Sequence, residues 1–193
     1  MPLPRFTRLP ADEQRRILGV ALQAFASEGV QTASYNQIIA AAGISRSSAY
    51  NYFDGREDLL TTVLDDVAER LYTSLGPWPG ADDEGSFWRE FFTATERMAK
   101  HVETNPADLA LVDMAFVERV RGGFTGWVQD LVDNGVRLGL ITVPVERDLV
   151  VSLTLSALSS LDGWVAERAR TGPMPDPVLY RTVLSHLWGS PAA

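Results

Sequence analysis

Between Ser34 and Phe53 the sequence leaves room for two short helices and one tight turn, and that constraint governs how the rest of the chain is read. Ser34-Tyr35-Asn36-Gln37 has the S-x-x-Q form in which a serine oxygen and a glutamine side chain satisfy amide donors at a helix start. The helix beginning there can last only to about Ala42, because Gly43 supplies a turn and Ser45 is placed to cap another helix. Upstream, Ile17, Leu18, Ala21, Leu22 and Phe25 recur at helical spacing over about 12–27, with Gly29 as the stop. Downstream, Asp54 and Glu57 are placed for a second reciprocal cap before the apolar row Leu60, Leu64, Val67, Leu71 and Leu75.

The remainder is also helical in pattern. Residues 76–85 (GPWPGADDEG) cannot continue a helix. Beyond them the spacing predicts helices at about 86–104, 106–117, 123–139, 145–170 and 176–188. Asn105-Pro106, Gly122-Gly123, Pro144 and the proline-rich stretch 172–177 separate them, and Asn134-Gly135 is a point where the seventh helix can end early. No sustained period-two alternation flanks the turn pairs, so the expectation is an all-α chain of about nine helices. It divides into a head at 1–56, a three-helix unit, and a helical body at 57–193.

Composition narrows the chemistry. No cysteine is present, which removes disulfides, thiolate metal sites and thiol nucleophiles, and two histidines leave little for zinc. No glycine-rich phosphate loop, nucleophile elbow or metal-spaced cluster appears, so neither a cofactor, a metal nor an enzymatic activity is expected. No apolar run approaches a membrane span, and MPLPRFTRLP lacks the apolar region of a signal peptide, so the expectation is a cytoplasmic protein with no membrane partner. The net charge of −8 is adverse to binding a polyanion, but it is unevenly spread. Residues 1–56 carry six arginines against four acidic residues, and the acidity lies in the body.

A helix-turn-helix, which the spacing from Ser34 to Phe53 fits, places its second helix in the major groove with early residues facing base edges, while the helix before it and flanking amides hold phosphates. Ile44, Ala49 and Phe53 can pack inward, leaving groups among Arg46, Ser47, Ser48, Tyr50, Asn51 and Tyr52 outward. Arginine can fork onto guanine, asparagine can pair with adenine, and tyrosine can meet a thymine methyl or a phosphate.

Over these residues the stretch IIAAAGISRSSAYNYFDGREDLL resembles the DNA-binding signature of the TetR family, and RRILGVALQAFASEG resembles the first helix of that family. The resemblance covers residues 15–60. It implies a symmetric homodimer on a palindromic double-stranded DNA operator, in most relatives a repressor released by a small molecule held in the body. Carried over by position, it gives Arg46, Ser47 and Ser48 the opening of the recognition helix. Asn51 faces bases, and Tyr50 and Tyr52 touch phosphate or a thymine methyl. Arg56 holds phosphate, as do Ser34 and Tyr35 at the positive end of their helix. Ser47 stands where glycine is common, Asp54 where a basic residue or proline often lies, and Gly55 where a small polar residue is usual. Arg5 and Arg8 belong to a terminal stretch that reads either as solvated chain or as an arm for the minor groove.

The body resembles the family only in helix count and layout. Its candidate effector-lining residues are Trp88, Phe91, Phe92, Thr95 and Met98 on one helix face and Val112, Asp113 and Phe116 on the next. Trp127 and Leu131, then Ser156, Ser160 and Trp164, complete the set, which suits a largely apolar small molecule; the same residues read equally as a filled core. Asp113 and Asp162, on otherwise apolar faces, each need a partner. Small residues beside an apolar stripe in the eighth helix point to homodimerisation through 145–188, as the resemblance also implies. The alternative is a helical regulator, constitutive or controlled by a protein partner, with no small-molecule effector.

Overall fold

A computed structural model describes the backbone of residues 2–111, 114–171, 173 and 175–189, with side chains described for these except 114–122, 166 and 169–171. Ten helices account for the regular structure among the described residues, and no strand occurs there. They are α1 (Pro4–Thr7), α2 (Ala11–Glu28), α3 (Tyr35–Ala41), α4 (Arg46–Tyr52), α5 (Arg56–Leu75), α6 (Glu84–Thr104), α7 (Pro106–Ala110), α8 (Met114–Arg137), α9 (Arg147–Thr171) and α10 (Val178–Leu187). The all-α expectation holds, with one helix more than the nine expected. None of the described helices is long and apolar enough to cross a membrane.

The described chain divides into two units, one formed by 1–71 with 100–118 and the other by 72–99 with 119–193. In the first, α2 buries the expected stripe: Ile17, Leu18, Ala21, Leu22 and Phe25 are each at most 8% exposed. Ile38 and Ile39 of α3, Ala49 and Phe53 at α4, and Leu59, Leu60, Val63 and Val67 of α5 are likewise buried. Gly43 makes the turn between α3 and α4 at φ +65°, a left-handed conformation that side chains with a Cβ rarely adopt. A charged cluster around the buried Asp108 also belongs to this unit: Arg70 donates to Asp66 and to Asp108, and His101 Nε2 lies 2.8 Å from Asp108 Oδ2.

The second unit is built around aromatic rings. Trp88 stacks on Trp188 at 5.8 Å, and Phe87 meets Trp78, Trp88 and Trp188 edge-on. The Trp188 indole donates to Thr154 Oγ1 at 2.9 Å, so its one polar group is satisfied inside the core. Asn134 of α8 is buried and clamps the connection before α6, accepting from Trp78 Nε1 and Ala81 N and donating to Ala81 O.

Several sequence expectations are corrected. Gly122-Gly123 does not separate helices; both lie inside α8, which begins at Met114, while α7 ends at Ala110. Two glycines cost a helix about 1 kcal/mol each, a cost that packing of Trp127, Val128, Leu131 and Val132 on the same helix offsets. Asn134-Gly135 does not end that helix either. Gly135 is required there for close approach, since a Cβ would stand 2.8 Å from Ile141 Cδ1, and its carbonyl accepts from Leu140 and Ile141 as the chain turns back. Ser34 occupies the N-cap position of α3 but its side chain caps nothing. The cap expected from Glu57 is made one residue later: Asp58 Oδ2 accepts from the Asp54 amide at 3.0 Å, while Glu57 pairs with Arg56. Finally, the terminal stretch is not solvated chain but is packed onto the end of α4. Leu3 N donates to Tyr52 O at 2.8 Å, and Phe6 is buried against Phe53 and Tyr52.

Candidate nucleic-acid interface

The second short helix, α4, starts at a serine because that side chain replaces a missing intrahelical acceptor. Ser45 Oγ accepts from the Ser48 amide at 3.1 Å, and the hydroxyls of Ser47 and Ser48 lie 3.0 and 2.9 Å from the same oxygen. The three serines therefore close the helix start as a unit while each hydroxyl keeps further bonding capacity. With Ala49 wholly buried, the opposite face carries Arg46, Ser47, Tyr50 and Asn51, all exposed, Tyr50 to 68%. Asn51 Nδ2 donates to Ser47 O at 2.8 Å, which orients the amide along the helix and leaves its oxygen outward-facing capacity. Ser48 is half-buried, and Tyr52 is held half-buried by its edge contact with Phe6.

The expected phosphate contacts sit differently. Ser34 and Tyr35 open α3, and the Tyr35 hydroxyl is buried without a partner; burial first, then Tyr50 and Asp58, raises its pKa above the ordinary phenol value. Arg56 is committed inward: Nε donates to Ala33 O at 3.0 Å, Nη2 to Val30 O, Nη1 to Glu57, and the guanidinium lies 5.5 Å from the Phe25 ring centre. Those bonds fix the loop before α3 to the start of α5, and the same guanidinium would have to supply any phosphate contact. Arg16 is similarly engaged, with Ala42 O and Glu13. The structure thus brings the nine candidate residues into the first unit, four of them fully outward on α4.

Of the candidate effector-lining residues, Trp88, Phe91, Trp127 and Leu131 are core residues at 0–4% exposure, and Phe92 and Met98 pack partly against them. Thr95 donates to Phe92 O, and Ser156 is half-buried. Ser160 is exposed, and Trp164, 46% exposed, carries Arg168 over its ring at 5.2 Å. Val112, Asp113 and the Phe116 side chain lie outside the described residues. Among the described core residues one polar group is orphaned: the Trp127 indole N–H is buried with no acceptor. Phe91 stands between Trp127 and Tyr180, at 6.2 Å from each ring centre, and sequence reasoning missed Tyr180 altogether.

Tyr180 is the partner that Asp162 required, donating at 2.6 Å. The carboxyl meets water on one side, yet the protein packed round it pushes its pKa up to about 6, a rise that the Tyr180 bond opposes. A carboxyl whose pKa rises on folding, here from 3.8 to about 6, contributes stability that is complete below the lower value and is lost as pH rises through the upper. Asp162→Asn should therefore gain in melting temperature on the parent protein across that window; a difference that stays flat with pH would remove the group from the account.

Two short helices joined at a positive-φ glycine, the second capped by Ser45 and exposing arginine, asparagine and tyrosine, define a helix-turn-helix in an all-helical chain. Residues 17–63 match the family described as bacterial regulatory proteins, tetR family. The DNA-binding signature of that family thus lies in the head of this chain. The chain is 38% identical over 63 residues to the HTH-type transcriptional regulator SrpR of Pseudomonas putida, covering 32% of this chain and 30% of that one. Similarity to the HTH-type transcriptional regulator LuxR of Vibrio harveyi is 31% over 72 residues, covering 37% and 35%. The chain thus spans about a third of the length of these curated relatives. In fold the likeness extends further. The fatty acid degradation regulator FadR from Bacillus halodurans matches with a TM-score of 0.69 at 15% identity, over 94% of this chain and 96% of that one. A transcriptional regulator of the family from Vibrio parahaemolyticus matches with a TM-score of 0.60 at 22% identity, over 93% and 98%.

Proposed function

We propose that this protein is a DNA-binding transcriptional regulator, acting in the cytoplasm as a homodimer on a palindromic operator and released by a small, largely apolar molecule. The observation that carries the reading is the outward face of α4, where Arg46, Tyr50 and Asn51 stand unburied on a helix too short and too well capped to serve as core. Residues 1–56 form the DNA-binding part and 57–193 the effector and dimerisation part. That the relatives matching the head are HTH-type transcriptional regulators supports the first assignment.

Dimerisation through 145–188 is favoured by the apolar side chains that α9 leaves uncovered: Leu149, Leu153 and Trp164 are 42–47% exposed and recur on one side of the helix. Two recognition helices spaced by a two-fold axis can then read two half-sites. The feature that favours an effector over a merely filled core is Trp127, because a buried indole N–H without an acceptor costs about 1–3 kcal/mol and a ligand oxygen would satisfy it. A molecule bound there would favour a body whose heads no longer match the half-site spacing.

The test is selection from a pool of random duplexes with the full-length protein, followed by a salt series on the enriched site. A palindromic site bound in a salt-sensitive manner, with affinity falling at least tenfold in an Arg46→Ala, Asn51→Ala variant of unchanged helicity, is expected; each lost base contact is worth about 1–3 kcal/mol. No enriched sequence would sink the DNA-binding reading. Selective binding that no compound of an apolar library weakens would favour the constitutive or partner-controlled alternative.

A further inference from the structure

We infer that the N-terminal turn is a built part of the DNA-binding surface, carrying Arg5 and Arg8 as backbone-phosphate contacts held against the exit of the recognition helix. The inference rests on the DNA-binding reading above.

Phosphate neutralisation needs cations that are not already spent. Of the six arginines in residues 1–56, Arg56 and Arg16 are bonded to backbone carbonyls inside the unit, and Arg15 is exposed on α2. On α4 itself only Arg46 is a cation. The guanidiniums of Arg5 and Arg8 are exposed and make no ion pair or hydrogen bond among the described residues. Both belong to the turn, Arg5 within α1 and Arg8 at its C-cap, three residues apart and hence on neighbouring positions of one side.

The turn is anchored at both ends, which separates it from a loose basic tail. At its start the Leu3 amide donates to Tyr52 O, one of the carbonyls at the end of α4 that its own helix cannot satisfy. In the middle Phe6, 2% exposed, lies 4.7 Å from the Phe53 ring and edge-on to Tyr52 at 6.2 Å. Thr7 Oγ1 closes the turn onto Pro4 O, and Gln14 of α2 donates to Leu9 O at 2.8 Å. The anchor residue Tyr52 directly follows Asn51 and is two from Tyr50, so whatever fixes Tyr52 fixes the end of the reading face. Fixing the backbone of the turn in the free protein lowers the entropy lost when the two side chains meet phosphate.

The test uses the full-length protein on the enriched operator, with affinity measured against salt. Each phosphate contact contributes about 0.9 to the slope of log affinity against log salt. For Arg5→Ala, Arg8→Ala the slope should fall by about 1.8 and affinity near 0.1 M salt by several tens of fold, with melting unchanged because both side chains are exposed. Arg89→Ala, an exposed cation of the second unit, should leave the slope alone. Phe6→Ala keeps both charges but removes the anchor, and should lose the same slope, with Phe6→Leu restoring part of it; its melting curve reports whether the head remains folded. An unchanged slope in the double arginine variant, with the parent binding normally, would overturn this inference alone. Full slope retained by a folded Phe6→Ala variant would reduce the turn to a tail and overturn the positioning claim. Absence of parent binding would instead strike the functional reading on which both rest.

Discussion

Asn134→Ala is expected to cost about 4 kcal/mol of folding stability, although it removes a side chain of modest size. The reason is what the truncation leaves behind. Asn134 Oδ1 is the acceptor for both Trp78 Nε1, at 2.9 Å, and the Ala81 amide, at 2.7 Å. Trp78 and Ala81 are at most 9% exposed, so water does not replace the lost oxygen without rearrangement. Each buried donor left unpaired costs about 1–3 kcal/mol, and two are orphaned together. The third partner, Ala81 O, loses Asn134 Nδ2 but keeps a bond from Arg137, so it adds little. Urea unfolding followed by far-ultraviolet circular dichroism should show the midpoint falling with its slope unchanged. Near-ultraviolet signals should change as well, since Trp78 packs edge-on against Phe87 and Trp127 at 5.2 and 5.5 Å. A loss below about 1 kcal/mol would mean that solvent reaches the 78–81 connection and satisfies it, which places the clamp on the surface.

Asn134 also illustrates what a sequence of this kind discloses and what it conceals. As a neighbour of Gly135 it reads as a helix stop, because both residues favour helix C-termini when only local backbone preference is considered. Its role comes from partners more than fifty positions away in the chain, and those contacts hold the helix through to Arg137. The same division runs through the head. Ser45 was readable because its bond goes three residues ahead, to the Ser48 amide, and Gly43 because the turn it makes is local. Ser34 carried an equally good local pattern and makes no such bond, and the Asp54 amide found Asp58, one residue past the expected Glu57. Phe6 had no helical register to announce it; its burial exists only because Tyr52 and Phe53 come back to meet it. The outward face of α4 was legible for the same reason as its cap: Ala49 inward and Arg46, Tyr50 and Asn51 outward follow from spacing alone. In the body, apolar spacing marked Trp88, Phe91, Trp127 and Leu131 for burial without telling core from lining, and it placed Trp164 inward where the structure exposes it.

Arg70→Met is the second substitution expected to be severe, at about 3 kcal/mol. Asp108 is 2% exposed at its side chain, whereas Arg70 is 35% exposed, so the carboxylate is the group that cannot return to water. Arg70 meets it with Nη2 at 2.6 Å and Nε at 3.3 Å, and its remaining nitrogen pairs with Asp66 one turn earlier on α5. Removing the guanidinium leaves Asp108 with His101 as its remaining partner among these groups and leaves Asp66 unpaired beside it. The cost is then that of a buried charge without its principal counterion, which exceeds what the intact pair contributes, because forming the pair already required both groups to be desolvated. That asymmetry gives the measurement its sign. Asp108→Leu alone strands no buried anion, since Arg70 is partly exposed and retains Asp66, so it should cost less than Arg70→Met. Combining the two should restore much of the loss rather than add to it, giving a coupling energy of about 1–3 kcal/mol in a double-mutant cycle. Additive losses would show that Arg70 acts through its aliphatic stem, packed along α5, and that the charges linking α5 to α6 and α7 contribute little to holding this unit together.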